Sequence, residues 1–155
     1  MACPAIVPPA CDASRESPPV SDTHSPEQPT AFVDASAIVA MVDRNDRSHA
    51  DAVDAYHGLK DQHYRLFTTN LVLAEVVQLL NDGVGADVAR QFLRDHRLAV
   101  YHATEEDEAR AVAMVMTSRS QRGLSYVDAV SLVVMEKLGV GDAFVVDTTF
   151  LAEAN

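Results

Sequence analysis

From residue 31 onward the chain contains no proline, and short apolar runs alternate with longer stretches of helical periodicity. That alternation narrows the fold more than any other feature, because parallel strands cannot be joined by tight turns and need long, usually helical, crossovers. Phe32-Val33, Leu66-Phe67-Thr68, Leu98 to Tyr101 and Phe144-Val145-Val146 read as four strands. Between them, residues 35–43, 48–60, 70–81, 86–96, 104–118 and 126–138 read as helices. Gly83 and Gly85 break the third helix, Thr104 caps the fifth ahead of Glu105-Glu106-Asp107, and Ser125 and Gly139 bracket the sixth. The expected product is an α/β domain, a parallel sheet covered by helices on both faces, with functional groups at the carboxyl ends of strands.

All seven prolines fall within residues 1–30, together with many Ser and Thr and few large apolar side chains. That composition predicts a disordered N-terminal tail, followed by one domain over 31–155. Cys3 and Cys11, the only cysteines, both lie in this tail, and two free thiols in a reducing cytoplasm are the expected state. No apolar run approaches the roughly 18 residues that span a bilayer, and Met1-Ala2-Cys3-Pro4 opens without a basic, then apolar, leader, so a cytoplasmic protein without membrane contact is expected. The net charge of −11 argues against a general electrostatic grip on nucleic acid, although bound cations can supply positive charge at one site.

Four acids sit inside apolar surroundings. Asp34 follows Ala31-Phe32-Val33, Glu75 lies within Leu71 to Val77, Asp128 within Tyr126 to Val130, and Asp147 follows Ala143 to Val146. None has a Lys or Arg within four positions on either side. A carboxylate removed from water without a positive partner is costly, so four along one small domain point to a shared metal ion. Each taken singly also fits a structural role; Asp34, just before a helix, is a good N-cap. Oxygen donors without Cys or His favour Mg²⁺ or Mn²⁺ over Zn²⁺. Such ions can activate water and neutralise phosphate charge without a protein nucleophile. Asp34, Asp128 and Asp147 are therefore the candidate metal ligands, and Glu75 either binds metal or orients the attacking water. Ser36, Thr148 and Thr149 are weaker candidates for hydroxyl contacts to a ligand or a phosphate. Arg119 and Arg122 are candidate phosphate contacts, with Arg44 and Arg47 on the other side. The six histidines show no zinc-like spacing and read as solvated surface.

The segments Phe32-Val33-Asp34-Ala35-Ser36, Thr68 to Val76 with Glu75, Leu124 to Ser131 with Asp128, and Ala143 to Phe150 with Asp147 together resemble PIN-domain ribonucleases. More specifically they resemble the VapC-type toxins of type II toxin–antitoxin pairs. Each motif alone is weak; four in order across residues 31–150 are specific. The resemblance implies a three-layer α/β/α sandwich with a central parallel sheet of four strands, or five. It also implies Mg²⁺- or Mn²⁺-dependent cleavage of RNA, inhibition by a cognate antitoxin, and homodimerisation, for which the apolar helices near 37–42 and 70–80 offer surface. The family's acids fall on Asp34, Glu75, Asp128 and Asp147. The chain departs from the pattern at Thr148-Thr149, where many relatives carry a basic or His residue, and no residues follow Asn155 to form the usual last strand. A non-catalytic RNA-binding or protein-interaction module on the same fold is the alternative. Phosphotransfer domains rank low, because Ser36 stands where a phosphatase of that kind needs a second Asp and residues 140–155 hold no Lys.

Overall fold

A computed structural model of the chain describes residues 28–119 and 123–146. The tail, Arg122, Asp147, Thr148 and Thr149 lie outside the described residues. Four strands, β1 (Thr30–Val33), β2 (Arg65–Thr69), β3 (Ala99–Tyr101) and β4 (Asp142–Phe144), form one sheet. Their order is β3-β2-β1-β4, and every pair is parallel. Six helices connect them: α1 (Ala35–Val42), α2 (His49–Asp61), α3 (Asn70–Gly83), α4 (Ala86–Asp95), α5 (Glu105–Thr117) and α6 (Tyr126–Leu138). From β1 the chain steps outward to β2 and β3, then returns past β1 to place β4 on its other side. Crossovers of this kind are right-handed almost without exception, so the reversal of direction puts the α5–α6 pair on the opposite face from α1–α4. The sheet and its two helical layers agree with the sandwich expected from the sequence.

The sheet interior explains the opening apolar run. Phe32 and Val33 are fully buried, with Phe32 edge-on to Phe67 at 5.8 Å between ring centroids. Beneath the helices lie Ile38, Val72, Val76, Leu80, Val130, Val133 and Val134, all fully buried. Burying each such side chain contributes roughly 1.5–3 kcal/mol.

The strand at the chain's end differs from expectation. Residues 144–146 are apolar enough to be the strand, yet β4 runs Asp142–Phe144. The partner strand decides this. Val33 pairs with Phe144 and β1 stops there, so Val145 and Val146 have no ladder to continue. The Val146 N–H donates instead to Ser36 Oγ at 3.1 Å, in the first turn of α1. The expected strand over 144–146 is thus displaced toward the amino side, and Val145 and Val146 lie beyond it.

The third helix also differs. Its sequence is apolar on almost every side, but only Val72, Val76 and Leu80 are fully buried, at a spacing that fits one helical face. Leu79 is 45% exposed, and Glu75 is half-buried, not enclosed. α3 packs against α1, α4, α6 and β2, while Ala74, Gln78 and Leu79 stay exposed.

Candidate metal-dependent active site

The site is assembled where β1 ends. In open α/β sheets, ligands bind at the carboxyl ends of strands where the order reverses, because the flanking crossovers diverge and leave a crevice. Here the reversal lies between β1 and β4. Asp34 is the first residue past β1, and its own N–H donates to Phe144 O at 3.0 Å, which seals the β1–β4 junction below it. It is 8% exposed and serves as the N-cap of α1. Its Oδ2 accepts the Ser36 N–H at 3.0 Å and the Ser36 hydroxyl at 2.5 Å. Both bonds fall on one oxygen, which leaves Oδ1 for a ligand.

Glu75 comes from the middle of α3. That helix is fixed at its start by Thr69, whose side chain accepts the Val72 N–H at 3.2 Å, and by Asn70, whose Oδ1 accepts the Ala103 N–H at 3.0 Å. One residue earlier, the Thr68 hydroxyl donates to Val33 O at 2.8 Å inside the core. Thr68 thus pins the backbone immediately before Asp34. The sequence offered Thr68 only as part of a strand; a hydroxyl inside an otherwise apolar strand end was the available signal.

Asp128 sits in the first turn of α6, where its N–H donates to the capping Ser125 Oγ at 3.0 Å. Asp34 and Asp128 therefore both lie at helix amino termini, whose partial positive charge offsets part of the cost of crowding anions.

The three described acids sense one another. Burial pushes the Glu75 carboxyl above its ordinary range, and the negative charges of Asp128 and then Asp34 push it further. Residues 41 and 53 positions away from Glu75 in sequence are thus within electrostatic reach of it. Among the described residues no three Asp, Glu, His or Cys side chains gather closely enough to hold an ion in direct contact. The carboxylate oxygens of Asp34, Glu75 and Asp128 are hard donors, of the kind that suits Mg²⁺ or Mn²⁺.

The remaining candidates separate. Ser36 stands between Asp34 and Val146 as described. Arg119 is exposed, beyond the end of α5. Asp147, Arg122 and Thr148 lie outside the described residues. Two histidines expected at a solvated surface are part-buried: His49 Nδ1 lies 2.8 Å from Ala40 O, and His96 stacks on Phe92 with its Nδ1 buried and unpartnered.

Residues 31–152 match the family model for the PIN domain. A VapC ribonuclease of Archaeoglobus fulgidus is 30% identical over 111 residues, covering 70% of this chain and 71% of that protein. The crystal structure of Mycobacterium tuberculosis VapC20, described as a sarcin–ricin loop cleaving toxin, superposes with a TM-score of 0.68 at 30% identity, covering 79% of this chain and 93% of that one. Fold, acid placement and sequence likeness converge: the chain belongs to the PIN-domain family, among its VapC-type members.

Proposed function

We propose that this protein is a metal-dependent endoribonuclease toxin that hydrolyses RNA phosphodiester bonds and is neutralised by a cognate antitoxin. The observation that carries the reading is the coupling of Glu75 to Asp128 and Asp34 at the reversal point of the sheet. Carboxylates within electrostatic reach of one another favour a cation that they can share. Asp34, Asp128 and Asp147 are the proposed holders of Mg²⁺ or Mn²⁺, which when bound would acidify a water and screen phosphate charge. Ser36 keeps Asp34 Oδ2 engaged, so that Oδ1 faces the ligand in a fixed orientation. Glu75, whose carboxyl holds its proton more tightly than an ordinary glutamate, orients the attacking water and accepts its proton. Thr148, Arg119 and Arg122 are proposed contacts to the RNA backbone.

The reading implies work in the cytoplasm, where RNA substrates are; no helix among the described residues is long and apolar enough to cross a membrane. A homodimer is part of the proposal. Residues 37–42 are largely spent in the core, whereas Val112 and Met116, one turn apart on α5, are exposed. They are the better surface.

Purified protein incubated with an RNA stem-loop should cut it in Mn²⁺ or Mg²⁺ and stop in EDTA. Asp34→Asn and Asp128→Asn should each lower the rate by about a hundredfold or more. Variants that cut as fast as the parent would remove these acids from the site. The alternative, a non-catalytic module, draws on the lack of a three-ligand cage among the described residues. It requires RNA binding that is indifferent to EDTA, with no cleavage under any metal.

A further inference from the structure

A cavity of about 410 Å³ opens beside Ser36, the residue that holds Asp34. Its walls include Ser36, Asp46, Arg47, Ser48, Leu79 and Val146. Two of these belong to the site's own scaffold: the Ser36 hydroxyl donates to Asp34 Oδ2, and the Val146 N–H donates to that same hydroxyl. A third, Leu79, lies on α3 four residues beyond Glu75, hence one turn away on the same side of the helix, about 5.4 Å along its axis. The cavity is therefore the next station along the surface from the acids.

Its lining is mixed in a specific way. Leu79 presents an apolar surface that is 45% exposed, unusual for a leucine in a helix whose other face is fully buried. Arg47 lines the same cavity, exposed in the turn between α1 and α2, with no ion pair among the described residues. The cavity's one carboxylate, Asp46, is occupied locally: its Oδ1 accepts the Ser48 N–H at 2.7 Å at the start of α2. Arg47 therefore offers its guanidinium to the cavity that Ser36 also lines. Guanidinium is the side chain best matched to phosphate, through paired N–H donors. An apolar wall facing a phosphate-binding cation suits a nucleotide, with its flat base on one side and its charged backbone on the other.

We propose that this cavity is a substrate subsite that takes the nucleotide adjoining the cut, with Arg47 binding the neighbouring phosphate and Leu79 packing against the base or ribose. The inference rests on the ribonuclease reading and adds a binding residue to it. Arg47 supplies affinity and register, not chemistry, so its removal should act on KM.

The test uses the full chain and a fluorescein-labelled RNA stem-loop. Arg47→Ala should raise KM about tenfold with kcat little changed, and Arg47→Lys should recover part of the loss. Anisotropy on the Asp34→Asn background, where RNA stays intact, should show weaker binding by Arg47→Ala and a salt dependence shallower by about 0.7 in log–log slope, the signature of one lost phosphate contact to single-stranded RNA. Leu79→Ser should weaken binding without changing that slope. Melting curves confirm folding, which an exposed arginine does not govern. Unchanged KM, affinity and salt slope in Arg47→Ala would overturn the subsite, whatever that variant does to antitoxin binding. A parent that cuts no RNA would overturn the ribonuclease reading instead, while the anisotropy comparison would still decide whether Arg47 carries RNA affinity.

Discussion

Glu75 stands in surroundings that disfavour its charge. Burial and two neighbouring anions raise its pKa above the ordinary 4.5, so the metal-free native state binds a proton more readily than the unfolded chain does. The sign follows. Stability from this group is greatest below the unfolded pKa and falls as pH rises through the higher folded one. In EDTA at pH 7, Glu75→Gln should therefore melt at a higher temperature than the parent, and the gap should close as pH falls toward 4. Adding Mn²⁺ should stabilise the parent more than the variant, because ligand binding to the native state adds to its stability. Differential scanning fluorimetry across pH, with and without metal, reads both effects. A variant melting below the parent at pH 7 without metal would mean that the carboxylate is held by groups that favour its charge.

At the scale of elements, caps decide where the acids stand. Ser125, Thr69 and Asp34 each accept an N–H at the start of a helix, and each of those helices carries a candidate acid: Asp34 at its cap, Asp128 in the first turn, Glu75 in the middle. Ser125→Ala removes the bond to the Asp128 N–H and should cost about 1 kcal/mol in denaturant unfolding. It should also reduce cleavage more than a stability loss of that size explains, since Asp128 sits in the turn that loosens. Gly139 closes the same helix at φ +66°, a left-handed conformation that glycine adopts without cost. These boundaries were legible beforehand: Thr104, Ser125, Gly83 and Gly139 all mark observed helix ends within a residue or two. The end of β4 was not, because apolar character does not reveal where a neighbouring strand stops. The exposed side of α3 was not either, because a run such as Leu71-Val72-Leu73-Ala74 gives no sign of which faces its neighbours reach.

At the scale of the whole molecule, one polar anchor holds the layer opposite α1–α4. Asp107, 1% exposed, accepts from Lys137 Nζ of α6 at 2.8 Å, from the Tyr101 hydroxyl of β3 at 2.9 Å and from the Thr104 N–H at 3.0 Å. Thr104 and Asp107 form a reciprocal capping box at the start of α5. The Lys137 ammonium, then the Thr104 amide, hold the Asp107 carboxyl far below its ordinary 3.8, against the opposing effect of burial. A depressed carboxylate pKa contributes stability that is fully present above the unfolded value and is lost as pH falls through the folded one. Asp107→Ala should thus cost about 3 kcal/mol at pH 7, measured in urea, and the deficit should shrink below pH 4 as the parent loses the same interaction. The sequence showed Asp107 as one of several first-turn acids; that it alone turns inward to meet Lys137, thirty residues away, is a property of packing.

Sequence by itself determined the alternation of strand and helix, the positions of the caps and the four acids that lack a nearby base, because periodicity, capping chemistry and local charge are short-range properties written into adjacent residues. Only the tertiary structure decided that Asp34 and Asp128 come within electrostatic reach of Glu75, that β4 stops at Phe144, and that Arg47 and Leu79 line a common cavity with Ser36. Those relations depend on which strand lies next to which and on the direction of each crossover, and these are set by the packing of the whole sheet.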